Sequence, residues 1–220
     1  MKLIRIAFLM LLVFLMSCQK KEVQLPVIRI PGITEIQNHS SIWIFFKEQN
    51  GDTLAILNKG NKILNTHWIF NIDKRLPMKK VVPHLLEMQE NKNKDSMHKK
   101  EGMLNYFSYA DTAREQISLT LFSPINFVEK IPEYEGSELP DSCLAEIEIL
   151  GDSIKVKDKI IELSGLNSLL SEQACDSTKA PSVRLMYHES LAFQYYLKAR
   201  VFLSNSEISC DTTEYIFTVK

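Results

Sequence analysis

Asp73-Lys74-Arg75-Leu76-Pro77-Met78-Lys79-Lys80-Val81-Val82 follows the apolar run His67 to Ile72. At an offset of 115 residues, His188-Glu189-Ser190-Leu191-Ala192-Phe193-Gln194-Tyr195-Tyr196-Leu197 follows the apolar run Val183 to Tyr187. In each stretch a strand-like run ends in two or three polar residues, then Leu, a helix start and a matched apolar pair. The hydrophobic period switches there from 2 to 3.6, the signature of a strand giving way to a helix. Few residues are identical, so the match is one of pattern, and it predicts an internal repeat. On that repeat Ile69, Ile72, Val82 and Leu85 should occupy the same core as Leu185, Tyr187, Leu197 and the apolar stem of Arg200.

Each copy is preceded by a hairpin pattern. Ser41 to Lys47 and Thr53 to Leu57 flank Asn50-Gly51, the dipeptide favoured in two-residue hairpin turns. Ala145 to Leu150 and Ile154 to Lys157 alternate around Gly151-Asp152. Pro77 suits the first turn of the helix over Val81 to Met88, whereas Pro83 should kink that helix or delay its start. Gln89 to Gly102 is almost wholly polar and reads as a solvated helix extension or a mobile loop. Ile117 to Phe122 reads as a strand. Ser164 is placed to cap a helix running to about Ala174, with Leu166, Leu169 and Leu170 on one face. A helix over Ala192 to Leu203 and a closing strand over Tyr215 to Val219 complete the second half as ββαβαβ.

Mixed strands and helices with hairpins predict an α+β class: two tandem small domains, each a mixed or antiparallel sheet with one or two helices on one face. Pro124 to Asp141, with three prolines and no periodicity, reads as the connection between them. The expected divisions are a signal peptide over 1–17, a linker over 18–37, a first unit over 38–123, an interdomain linker over 124–142 and a second unit over 143–220.

The N-terminus has a charged start (Lys2, Arg5), an apolar core from Ile6 to Met16 and a small residue before Cys18, the anatomy of a secretory signal. A spanning helix needs about 20 apolar residues, and Gln19-Lys20-Lys21-Glu22 stops the run short of that. Leu15-Met16-Ser17-Cys18 resembles the bacterial lipobox, which implies that the Cys18 thiol is acylated (diacylglycerol, palmitate) and becomes the mature N-terminus. Two or more acyl chains give stable membrane anchoring. The implied location is the cell envelope on its periplasmic side, lipid-anchored to the inner or outer membrane. Glu22 to Gln37 reads as a linker lifting the domain off that membrane, with one short strand near Val27 to Ile30.

Composition narrows the function. The mature chain carries 24 basic and 27 acidic residues, a balance that argues against nucleic acid as a partner. Neither GxxxxGK[ST] nor GxGxxG occurs, so nucleotide binding has no support and no cofactor is implied. Cys143, Cys175 and Cys210 allow three pairings and show no CxxC spacing, so neither a zinc knuckle nor a thioredoxin-like motif is suggested. The histidines, His39, His67, His84, His98 and His188, form no HExxH and no i, i+4 pair, and edge or surface roles explain His67 and His188 better than metal or base roles. Ser108, Asp111 and His98 can be drawn as a triad, but no GxSxG elbow accompanies them. Aromatic clusters are the better lead: Tyr106, Phe107 and Tyr109 in a polar stretch, and Phe193, Tyr195 and Tyr196 at a helix start. Phe193 and Tyr196 read as core, Tyr106 and Tyr195 as surface anchors for a partner.

At Asp73 to Val82 the chain resembles the periplasmic domain of the ExbD/TolR biopolymer-transport family, where a strand leads through an Asp-Lys-x-x-Pro-like turn into a helix with a Val-Val pair. Gly151 to Glu162, Leu163 to Leu170 and Val183 to Leu203 resemble that domain's strand with the following small turn, first helix, and strand with second helix. The first half lacks the first helix. That family's members carry a spanning helix with a proton-coupling aspartate; Ile6 to Met16 holds no acidic residue. The resemblance therefore implies a nonenzymatic accessory or scaffold lipoprotein of an envelope transport or energy-transduction complex. It would keep the interaction module, doubled, and bind protein partners, a second copy among them, with Asp73 and Lys74 of the turn as interaction candidates. The alternative is a ligand-binding or cell-wall-binding lipoprotein.

Overall fold

A computed structural model describes residues 22–93, 102–122, 125–128, 144–172, 182–206 and 208–218. The lipobox with Cys18, and Cys143 and Cys175, lie outside the described residues, as do His98 and the polar run beyond Asn93. Cys210 carries a free thiol.

The first unit comprises β1 (Val27–Ile28), β2 (His39–Gln49), β3 (Asp52–Leu57), β4 (His67–Ile72), α1 (Met78–Asn93), β5 (Asn105–Asp111) and β6 (Gln116–Phe122). The second comprises β7 (Asn126–Val128), β8 (Leu144–Ile149), β9 (Ser153–Val156), β10 (Lys159–Glu162), α2 (Leu166–Glu172), β11 (Ser182–His188), α3 (Phe193–Ser204) and β12 (Thr213–Phe217). The class is α+β, with one mixed sheet in each of two small units.

The expected hairpins form. Asn50 and Gly51 take φ of 54° and 82°, the pair of positive values that a type I′ turn requires. In the first sheet β2 lies between β3, antiparallel, and β4, parallel. β5 runs parallel to β4 and pairs antiparallel with β6. The second sheet runs β10-β9-β8-β11-β12-β7, with β8, β11, β12 and β7 mutually parallel. Hairpin, parallel strand, helix and parallel strand therefore recur in one order: β2-β3-β4-α1-β5 and β8-β9-β11-α3-β12. In place of α2, the first unit has only a 3-10 turn, Lys59–Asn61.

Several expectations shift. Asn105–Asp111, read as a polar stretch with surface aromatics, is a central strand buried on both faces, with Phe107 and Tyr109 on one side and Tyr106 and Ser108 on the other. β1 is the short strand expected near Val27 to Ile30, but it joins the first sheet beside β5, and Asn126–Val128, within the expected interdomain linker, forms the edge strand of the second sheet. α1 runs through Pro83; the carbonyl that proline leaves unpaired is that of Lys79, an exposed residue at the helix start. Ser164 does not cap: a 3-10 turn from Leu163 to Gly165 precedes α2, Glu162 holds the N-cap position, and the Ser164 hydroxyl donates to Glu162 Oε2 at 3.3 Å.

The core equivalence holds with one slip. Ile72, Val82, Leu85, Leu185, Tyr187 and Leu197 belong to a single buried cluster that spans both units. Ile69 points the other way, into a small cluster with Tyr106 and Leu119, and Phe70 takes the position matching Leu185. A one-residue shift along a strand exchanges its faces.

Candidate interaction site at the pseudo-dyad

The two turns that carry the repeat meet each other. Pro77 and Ala192 form an antiparallel bridge. Around it Met78 N donates to Leu191 O (2.8 Å) and Phe193 N to Leu76 O (2.8 Å); farther out Lys79 N donates to Glu189 O (2.9 Å) and Gln194 N to Lys74 O (3.1 Å). Under the 115-residue offset each bond maps onto its partner, so the turns are related by a local two-fold axis. Local geometry repeats as well: Leu76 N to Asp73 O (3.2 Å) matches Leu191 N to His188 O (2.9 Å), and Arg75 N to Asp73 Oδ1 (3.1 Å) matches Ser190 N to His188 Nδ1 (3.2 Å).

Asp73 is the keystone of the first turn. Its carboxylate is buried and accepts Gln24 N (3.1 Å), Arg75 N (3.1 Å), Arg75 Nε (2.8 Å) and Arg75 Nη2 (2.7 Å). Burial pushes its pKa up, but the hydrogen bonds from Arg75 and Gln24 outweigh that and hold it below the usual carboxylate value. Asp73 is thus committed to the fold. Tyr106 is likewise buried, 7% exposed, edge-on to His67 at 5.9 Å. Tyr195 is half-buried against the shared core. Of the four interaction candidates Lys74 and Tyr195 keep half-buried side chains; the Lys74 backbone joins Gln24 and Gln194.

Around the axis the units are stitched by side chains. The Gln194 amide pairs with the peptide group of Val27 in both senses, accepting from Val27 N (2.8 Å) and donating to Val27 O (2.9 Å). Lys79 pairs with Glu189 at 3.2 Å, and the Thr218 hydroxyl donates to the same carboxylate at 2.8 Å. Below the axis Phe107 of β5 lies 5.5 Å from Phe193 and 6.5 Å from Tyr196 of α3, ring centroid to ring centroid.

A second polar feature escaped the sequence reading. Glu214 of β12 is wholly buried; the Tyr187 hydroxyl donates to its Oε2 at 3.3 Å, and Arg200 Nη1 lies 3.3 Å from its Oε1. Burial raises its pKa to about 6, against the lowering pull of Arg200, of the nearby Tyr196 hydroxyl and of the hydrogen bond from Tyr187. Burial also raises the neighbouring Cys210 thiol. The signal was present in the pattern: Glu214 alternates with Ile216, and Arg200 follows Leu197 on the buried face of α3, so two opposite charges occupy core positions.

Between the units lies a cleft of about 730 Å³, walled by Ile28 and Ile30, Leu163, and Phe202, with the Lys198–Asp152 ion pair (2.6 Å) at its rim. Of the residues that can be drawn as a triad His98 lies outside the described residues; Ser108 donates to Asn71 Oδ1 at 2.7 Å, and Asp111 Oδ1 accepts the Ala113 N–H at 3.0 Å. Among the described residues no group of three His, Cys, Asp or Glu side chains could hold a metal, and no helix is long and apolar enough to cross a membrane.

No family model matches the chain, and neither a curated protein nor a solved structure matches it.

Proposed function

We propose that the protein is a lipid-anchored, nonenzymatic scaffold of an envelope transport or energy-transduction complex, its doubled module working through protein contacts. The observation that carries this reading is the pseudo-dyad: two copies of one strand-turn-helix unit dock on each other with paired backbone bonds, so the chain is a covalently fused pair of modules. The chemistry-bearing side chains fit that role. Asp73 and Arg75 brace the first turn, Lys79 and Glu189 tie the units together, and Glu214 with Arg200 lies inside the fold. The lipobox supplies the membrane address, and the ExbD/TolR resemblance the class of partner.

The test is copurification of the tagged, acylated protein from native membranes. Recovery of channel-type membrane subunits supports the scaffold; enrichment on pelleted peptidoglycan without them overturns it in favour of cell-wall binding. The cleft between the units favours a ligand-binding reading as the second choice. Cys18→Ala is expected to yield a chain without acyl label, and palmitate label retained by that variant would remove the anchor.

A further inference from the structure

The tether between anchor and body is very short. Gln24 is already fixed, its N–H on the Asp73 carboxylate and its carbonyl accepting from Lys74 N at 2.8 Å. The stretch read as a spacer from Glu22 onward is thus part of the body. From Cys18 to Gln24 the chain has six steps and spans at most about 20 Å, whatever its conformation. Resting on the lipoprotein reading above, this holds one end of the first unit, the turn end of the pseudo-dyad, near the lipid headgroups.

The charge of that end matches such a neighbour. Lys74, Arg75, Lys79 and Lys80 cluster at the turn and the start of α1, against Glu22, Asp73 and, from the second turn, Glu189, in a mature chain whose acidic residues outnumber the basic. Arg75 is spent on Asp73 and Lys79 on Glu189, whereas Lys74 and Lys80 have no ion-pair partner among the described residues. Lys20 and Lys21 add two further charges along the tether. Basic clusters beside a membrane anchor are attracted to anionic headgroups over about a Debye length, roughly 8 Å at physiological salt.

We propose that the turn face around Lys74 and Lys80 docks on the anionic headgroups of the membrane that holds the anchor, fixing the body's orientation with the opposite end of β4 pointing away. Lys62, just past the 3-10 turn before β4, marks that far end, about 20 Å along the strand.

The experiment places the full acylated protein in phosphatidylglycerol-containing vesicles and in phosphatidylcholine vesicles. Lysines are labelled with a membrane-impermeant acylating reagent and read by peptide mass spectrometry, and the intact mass reports acylation of Cys18. Lys74 and Lys80 should react several-fold more slowly on the anionic vesicles, Lys62 equally on both. Molar salt, which shortens the Debye length to about 3 Å, should abolish the difference. Acylated protein with equal Lys74 and Lys80 reactivity on both vesicles overturns the docking face alone. A chain without acyl mass overturns the anchor and the docking face together.

Discussion

Glu214 and Asp73 are both buried carboxylates, and their surroundings drive them in opposite directions. Glu214 sits where desolvation wins, and its pKa rises from 4.5 to about 6. A carboxyl whose folded pKa is raised binds its proton more tightly in the native state, so its contribution is fully present below the unfolded value and is lost as pH rises through the folded one. The stability of the wild type minus that of Glu214→Gln should therefore fall by about 2 kcal/mol between pH 4 and pH 7. Denaturant titrations at several pH values measure it, and a flat difference would refute the assignment. Asp73 has the reverse sign. Its pKa is lowered, so its contribution is present above the unfolded value near 3.8 and is lost as pH falls through the still lower folded value. Asp73→Asn replaces an acceptor of four donors by a group that must turn an NH₂ toward some of them, and should destabilise the protein by about 2 kcal/mol at neutral pH. A loss below a few tenths of a kcal/mol would show that Arg75, whose side chain is 41% exposed, finds equivalent partners in water.

Elements that bury one face were legible in the sequence, and so was β4, buried on both, by its largely apolar run; β5, interrupted by buried polar residues, was not. β2, β3, β8, β9 and β11 announce themselves by alternation, and α1 and α3 by the switch to a helical period after Asp73 and His188. β5 did not, because Tyr106 and Ser108 cover its outer face while Phe107 and Tyr109 fill its inner one, and a strand buried on both sides carries no polar-apolar rhythm. β1 falls where one short strand is expected; β7 was illegible for another reason: it has three residues and is held by a partner distant in sequence, β12. The Gln194 clasp on Val27 is likewise invisible in sequence, since it joins residues 167 apart. Gln194→Ala should leave the fold intact but cost about 1 kcal/mol, and hydrogen exchange at the Val27 amide should quicken correspondingly. Gly32, within the same stretch, is held by space: a Cβ there would lie 2.3 Å from the Tyr109 hydroxyl and 2.6 Å from the Leu119 carbonyl. Gly32→Ala should break the Ile33–Leu119 bridge and lower the unfolding midpoint by more than Gly51→Ala, whose added methyl meets open space and strains only a φ of 82°.

Two sheets joined by a backbone bridge could unfold separately, like beads, or together. The packing decides between these. One buried cluster runs without a break from Ile42 and Phe70 in the first sheet through Phe107, Phe193 and Tyr196 to Val183 and Tyr187 in the second. Phe107 in particular touches rings from both units: Phe70 at 6.0 Å and Phe122 at 4.4 Å on its own side, Phe193 at 5.5 Å across the axis. Neither unit can open without exposing apolar surface of the other, so the repeat that duplicates the fold does not duplicate its stability. A single cooperative transition is therefore expected, with the slowest-exchanging amides of both sheets, those of Ile42 and Val183, sharing one opening free energy. Phe107→Ala removes a ring from the centre of that cluster and should lower this shared value by about 3–5 kcal/mol in both sheets at once, although the residue belongs to the first. Two resolved transitions, or protection lost at Ile42 and kept at Val183, would mean that the units are stable alone and that the dyad is a docking contact between finished domains.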